Sequence, residues 1–233
     1  MYGLWRRPEQ DVDQVRTALL DRVAPVLLDL GVPGLRICVE EPAGDAYRTG
    51  ANPDGGLLAA SVSYWIDSYD NREPHESALA QVDAETYGWI VAESEALPYG
   101  DHRTWPDGEQ SPGLSITTFF DKKEGLSDEE FYRIWHEEHT PLSFEIHPIC
   151  LYVRNQVLRA VTPGAPSVRG IVYEAVPTDA DMLDFNRFFG AVDEPSKLID
   201  NIHRVNEHME SFGNTATLQC MPMREWIFRT LST

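Results

Sequence analysis

Hydrophobic and polar positions along this 233-residue chain follow two rhythms. Runs of period two, SITTFFD (115–121), LYVRNQVL (151–158) and VRGIVYEAV (168–176), predict strands. Period 3.6 predicts a helix from about Ser127 to His147 and a helical stretch from about Asp179 to Phe212, before a last strand near LQCMPMREWIFR. Ser127 stands three residues before Glu130, a capping box, and Thr178 precedes an acidic first turn. The order is β-α-β-β-α-β. The first half repeats it more weakly, as GLWRRP, a helix from about Asp11 to Leu30, GLRICVEE, LLAASVSYWID, a helix around His75 to Tyr87, and WIVAESEAL. Between the halves PYGDHRTWPDGEQSPG (98–113) reads as a linker because Pro, Gly and Asp punctuate it. The expectation is an α+β chain of two fused ferredoxin-like units, residues 1–97 and 114–233.

The first helix of each half tests the duplication. Aligning Pro25 with Pro141 sets an offset of 141 − 25 = 116. It pairs Val15 with Phe131, Leu19 with Trp135, Val26 with Leu142 and Leu30 with Ile146, all apolar and all on one helical stripe expected to pack on a sheet. The same offset pairs Val23 with His139 and Leu20 with His136, so the histidines belong to one copy only. On a regular helix His139 falls at the margin of the buried stripe, with His136 and His147 outside it. Pro141 deprives the Glu137 carbonyl of its usual partner, and a kink there opens space between helix and sheet beside His139.

Composition removes several alternatives. A hydrophobic content of 42% suits a soluble globular protein, and no run of about 18 apolar residues predicts a bilayer span. MYGLWRRPEQ lacks the apolar core of a signal peptide, so a cytoplasmic protein is expected. A formal charge of −19 opposes nucleic acid and anionic membranes as partners and leaves a small molecule. Cys38, Cys150 and Cys220 stand too far apart for a zinc ribbon and read as buried thiols. No nucleotide-binding or serine-hydrolase motif occurs. His136 and His139 could share an ion, but His147 lies ~12 Å further along the axis and the spacing misses the His-Glu-x-x-His pattern, so no metal is expected. His203 and His208 are assigned no role, and His75 and His102 are expected at the surface.

The run GLSDEEFYRIWHEEHTPL followed by LYVRNQVL resembles the EthD family of dimeric α/β-barrel proteins. Phe131, Trp135, His139, Pro141, Leu142, Tyr152 and Asn155 match its pattern, over most of the second half. The resemblance implies that two ferredoxin-like units pack into a barrel, here within one chain, with the first half a degenerate copy. A homodimer of such chains is compatible with it. The wider superfamily contains isomerases, decarboxylases, cyclases and cofactor-independent monooxygenases.

An imidazole at the edge of an apolar cavity has burial and carboxylates pulling its pKa in opposite directions, which makes His139 the expected general acid or base. Tyr152 would orient a phenol or carbonyl and Asn155 would donate to an enolate, with Trp135, His136 and Tyr173 contacting substrate. The expected function is cofactor-free lyase, isomerase or decarboxylase chemistry on an apolar or aromatic oxygenated metabolite, at one site per chain. The alternatives are an oxidoreductase, cofactor-independent or with haem on a helix histidine, and a barrel that binds a ligand without chemistry.

Overall fold

A computed structural model describes residues 1–52 and 54–231. Its strands close into a barrel. In chain order the elements are β1 (Tyr2–Arg6), helix α1 (12–29), β2 (Leu35–Glu40), β3 (Leu57–Tyr64), α2 (Glu73–Leu79) and β4 (Glu85–Leu97). There follow β5 (Ser115–Lys122), helix α3 (128–146), β6 (Leu151–Ala160), β7 (Gly170–Ala175), α4 (Asp179–Leu183), α5 (Phe185–Phe188), α6 (Pro195–Phe212) and β8 (Gly213–Arg229). The ring runs β1-β3-β2-β8-β5-β7-β6-β4, and every pairing is antiparallel.

Two long strands close the ring. β4 pairs with β1 through Glu85–Gly88 and with β6 from Trp89 onward. β8 pairs with β5 up to Met223 and with β2 from Met223 to Arg229. Each therefore hydrogen-bonds to strands of both halves, which leaves no free edge in the sheet.

Closure gives the strands a shared inner face and an outer face on which helices pack over part of the ring. One buried cluster takes Trp5, Cys38, Leu58, Trp89, Phe119, Leu151, Ile171 and Met221, one residue from each of the eight strands, and so fills the barrel interior. Outside the ring, α1 packs Val15, Leu19, Val23 and Leu27 onto Leu4, Ile37, Val39 and Val62. On the opposite side α3 and α6 bring Phe131, Trp135 and Phe212 onto Phe120, Tyr152 and Val172.

Both long helices carry a π turn at the same place, Leu19–Val23 in α1 and Ile134–His139 in α3, each just ahead of a proline. The Ala24 N–H reaches back to the Leu19 carbonyl and the Thr140 N–H to the Trp135 carbonyl, five residues in each case. Pro25 and Pro141 cannot donate, and the wider turn absorbs the break without a sharp kink. The extra residue shifts part of the stripe beyond it, although Ile146 stays buried as expected. Val26 and Leu30, expected in the buried stripe, are exposed, while Leu27 and Ser143 are buried. His147, expected outside the stripe, stands just past the end of α3 in an extended conformation and is buried against Phe188.

Other expectations also shift. Residues 75–87 do not form one helix: α2 ends at Leu79, and Tyr87 lies in β4. His75, expected at the surface, is buried and stacks on Tyr64 at 5.2 Å between ring centres. The stretch 179–212 divides into three helices, the first capped as expected by Thr178, whose hydroxyl accepts from the Asp181 N–H. Ser127 Oγ likewise accepts from the Glu130 N–H at 3.1 Å. Among the described residues no helix is long and apolar enough to cross a membrane.

Leu19 has no exposed surface, so Leu19→Ala is expected to lower unfolding stability by about 2–5 kcal/mol. Because β4 and β8 join both halves, urea denaturation of the variant should remain a single transition, coincident by tryptophan fluorescence and far-ultraviolet circular dichroism. Two separated transitions would show that the halves fold independently.

Candidate active site between helices and sheet

A cavity of roughly 230 Å³ opens between the outer sheet face of the second half and its helices. Its floor comes from β5 (Ile116, Thr118, Phe120), β6 (Tyr152), β7 (Val172, Glu174) and β8 (Leu218, Cys220). The π turn of α3 places Trp135 and His139 over it, α5 supplies Phe188, and α6 supplies Asn206 and Met209. Tyr47 and Thr49 reach in from the segment between β2 and β3. The first half was expected to act only as structural support; these two residues make it part of the wall. The matching space under α1 is filled by the aliphatic side chains named above, Val23 among them.

The six residues singled out from the sequence separate into three groups. Trp135, His139 and Tyr152 line this cavity together. Asn155 and Tyr173 point the other way, into the barrel. Along β6 the residues 151, 153, 155 and 157 face inward and 152 outward, and along β7 residues 171, 173 and 175 face inward. Asn155 donates to the Ile171 carbonyl at 3.2 Å and borders a different cavity, with Trp89 and Tyr64. The Tyr173 ring lies 4.7 Å beneath the Arg36 guanidinium, and burial holds its hydroxyl well above the ordinary tyrosine range. Neither can touch a molecule beside His139. His136 sits half-buried on α3 against Tyr132 and Trp135, outside the cavity wall, with burial and Arg154 lowering its pKa to about 4.

His139 is not poised near neutrality. Burial, then the neighbouring His208 and His147, push it down to about 3, because no carboxylate compensates for the lost water. At pH 7 it is a neutral ring. Its Nδ1 lies 3.3 Å from Nδ1 of His208 on α6, a residue assigned no role from the sequence. Burial also keeps His147 neutral, at about 4. Its Nδ1 is 2.9 Å from the Phe188 carbonyl, and its ring stacks on Phe188 at 4.2 Å.

The ionisable group tuned near neutrality is Glu174, which the sequence reading missed. It faces Tyr152 on β6 and Ile116 on β5 across the sheet, borders the cavity, and among the described residues forms no hydrogen bond or ion pair. Burial alone raises its carboxyl to about 7. A signal was present in VRGIVYEAV: an acid within a strand otherwise apolar on both faces has no solvated side to occupy. Tyr152 beside it keeps its phenolic proton, pushed up to about 12 by burial and then by Glu174.

The remaining lining is aromatic, aliphatic or thioether, apart from Asn206 and a few hydroxyls and the Cys220 thiol, which burial raises to about 12. Among the described residues no group of three or more His, Cys, Asp or Glu side chains is arranged to hold a metal ion. The arrangement is that of an apolar chamber with one proton acceptor tuned to neutral pH and two neutral imidazoles.

No family model matches the chain, and a search of curated proteins returns no match. Among solved structures, a candidate monooxygenase from Lactobacillus acidophilus NCFM aligns with 98% of this chain and 95% of its own, at 7% identity and a TM-score of 0.46.

The raised Glu174 has a thermodynamic consequence. Its carboxyl titrates near 4.5 when unfolded and about 7 when folded, so its contribution to stability is complete below pH 4.5 and is lost as pH rises through 7. Glu174→Gln removes that loss. Relative to the parent protein, the variant should therefore gain on the order of 3 kcal/mol between pH 4 and pH 8, measured as the difference in urea unfolding free energy. A difference that stays constant with pH would mean that the carboxyl is solvated.

Proposed function

We propose that this protein is a small-molecule enzyme of acid–base type, in which Glu174 removes a proton from an apolar oxygenated molecule held between α3, α6 and the sheet. The observation that carries this reading is the half-buried Glu174 carboxyl, which borders an apolar cavity, forms no hydrogen bond or ion pair among the described residues, and is raised to about 7. A base for neutral-pH chemistry needs a pKa close to the working pH, together with access to the substrate proton. In this reading Tyr152 donates to the oxygen on which charge develops, His139 and Trp135 hold the molecule over Glu174, and α3 and α6 exclude water. Isomerase and eliminating lyase reactions draw on such a step, whereas in a decarboxylation the group would return a proton after CO2 leaves. Asn155, Tyr173 and His136 have no direct part in it.

The same reading takes the chain as two ferredoxin-like units joined by 98–113, with residues 1–97 the degenerate copy and 114–233 the EthD-like copy. The shared strand order, β4-β1-β3-β2 in one half and β8-β5-β7-β6 in the other, supports it, as do the paired π turns.

A mass-spectrometric screen of oxygenated aromatic metabolites, with and without the protein, should find a molecule that is consumed. Its kcat/KM should rise with pH through about 7 as Glu174 ionises. Glu174→Gln should lower kcat/KM by about 10²–10⁴-fold. Val23→Ile, on the filled side of the molecule, should leave it unchanged. Full turnover in Glu174→Gln would overturn the assignment.

A further inference from the structure

The cavity's two histidines carry information about the ligand, because their neighbours determine which ring nitrogen holds the proton. His147 is the simpler case. Its Nδ1 lies 2.9 Å from the Phe188 carbonyl oxygen, which can only accept, so Nδ1 carries the hydrogen. The ring is neutral, which leaves Nε2 a bare acceptor.

His139 is set through two further residues. Its Nδ1 is 3.3 Å from Nδ1 of His208, and Nε2 of His208 is 3.6 Å from Oε2 of Glu138. Glu138 also accepts from Arg133, which holds its carboxyl below the ordinary glutamate range, so at neutral pH it offers no proton. The negative carboxylate near Nε2 therefore favours the His208 tautomer that carries its proton on that nitrogen. When His208 is neutral its Nδ1 is bare, and the single proton in the Nδ1···Nδ1 contact must come from His139. His139 then has no proton on Nε2, the nitrogen left for the cavity.

We infer that Glu138 and His208 are positioning residues that fix His139 as an acceptor, and that the cavity takes a flat molecule carrying at least two hydroxyl donors, one for each histidine. Phe120, Trp135, Phe188 and Phe189 provide aromatic walls. The volume of roughly 230 Å³ exceeds the cavity of about 150 Å³ that accepts benzene, and so admits a two-ring compound. An ether or ketone of the same shape would leave both imidazole nitrogens without a partner, and that is where the discrimination lies. The inference rests on the same cavity as the proposed function but not on Glu174 acting as a base.

Two measurements test it. Nitrogen-15 NMR of histidine-labelled protein at pH 8, assigned with His139→Asn and His147→Asn, reads the tautomers without any ligand. The expected result is Nδ1–H and bare Nε2 at both residues. His208→Phe should release His139 into a mixture of tautomers while His147 stays as it was, a change that mere loss of packing would not produce. In the second measurement, calorimetry with naphthalene-1,3-diol and its dimethyl ether should show the diol binding at least tenfold more tightly. In His208→Phe that ratio should fall severalfold, with the ether's affinity unchanged. An Nε2–H tautomer at His139 in the parent protein overturns the positioning role of Glu138 and His208. Equal affinities, tighter ether binding, or no binding of either probe overturns the ligand class. Because none of these readouts involves turnover, an inactive Glu174 would not imitate their failure.

Discussion

Closing eight antiparallel strands into a ring is the constraint on which the rest of this structure depends. A sheet with free edges has one face to bury and another to expose; this ring has an interior that belongs to all eight strands and an exterior partly covered by helices. Closure is achieved by β4 and β8, which change partners part-way along their length. The buried side chains of β6 and β7 are then divided between two separate environments. Tyr152 and Glu174 lie under the helices, and Asn155 and Tyr173 lie in the barrel.

The two halves fill the space beneath their helices unequally. Under α1 the positions are aliphatic, and the layer packs without room for a molecule. Under α3 the equivalent positions include His139 in place of Val23 and Ser143 in place of Leu27, and a chamber remains. The π turns are common to both halves, so they are a property of the fold and of its proline. What differs is the chemistry placed on a shared scaffold. Burial then acts in opposite directions on the two kinds of ionisable group: it raises Glu174 into the neutral range and drives His139 and His147 far below it. At neutral pH the carboxyl lies close to its own pKa, and both imidazoles are uncharged.

The connection between β2 and β3 also reaches the chamber. Tyr47 stacks face to face on Phe185 at 4.4 Å and edge-on to Phe188, which ties a segment of the first half to α5. Tyr47 and Thr49 thereby border a cavity whose other walls belong to the second half. The first half contributes to the site through this loop and not through its helix.

Much of this was legible in the sequence. Period-two and period-3.6 patterns located the eight strands and both long helices, because each element buries a face and a buried face leaves a period. The helix caps at Ser127 and Thr178 and the matched prolines Pro25 and Pro141 were equally local. Trp135, His139 and Tyr152 were found because a histidine at the margin of an aromatic stripe, ahead of a strand tyrosine, is visible along the chain. Other features depend on contacts between distant segments. No local rhythm predicts that a helix gains a π turn, so the exposure of Val26 was misplaced, and His147 is buried by Phe188, 41 residues away in the chain. Which face of β6 lies inside a barrel is decided by strands far away in sequence, so Asn155 was grouped with Tyr152. The pairing of His139 with His208 and the isolation of Glu174 belong to the tertiary structure for the same reason. A pKa records how much water the whole fold has removed from a group, and residue spacing along the chain carries no measure of that.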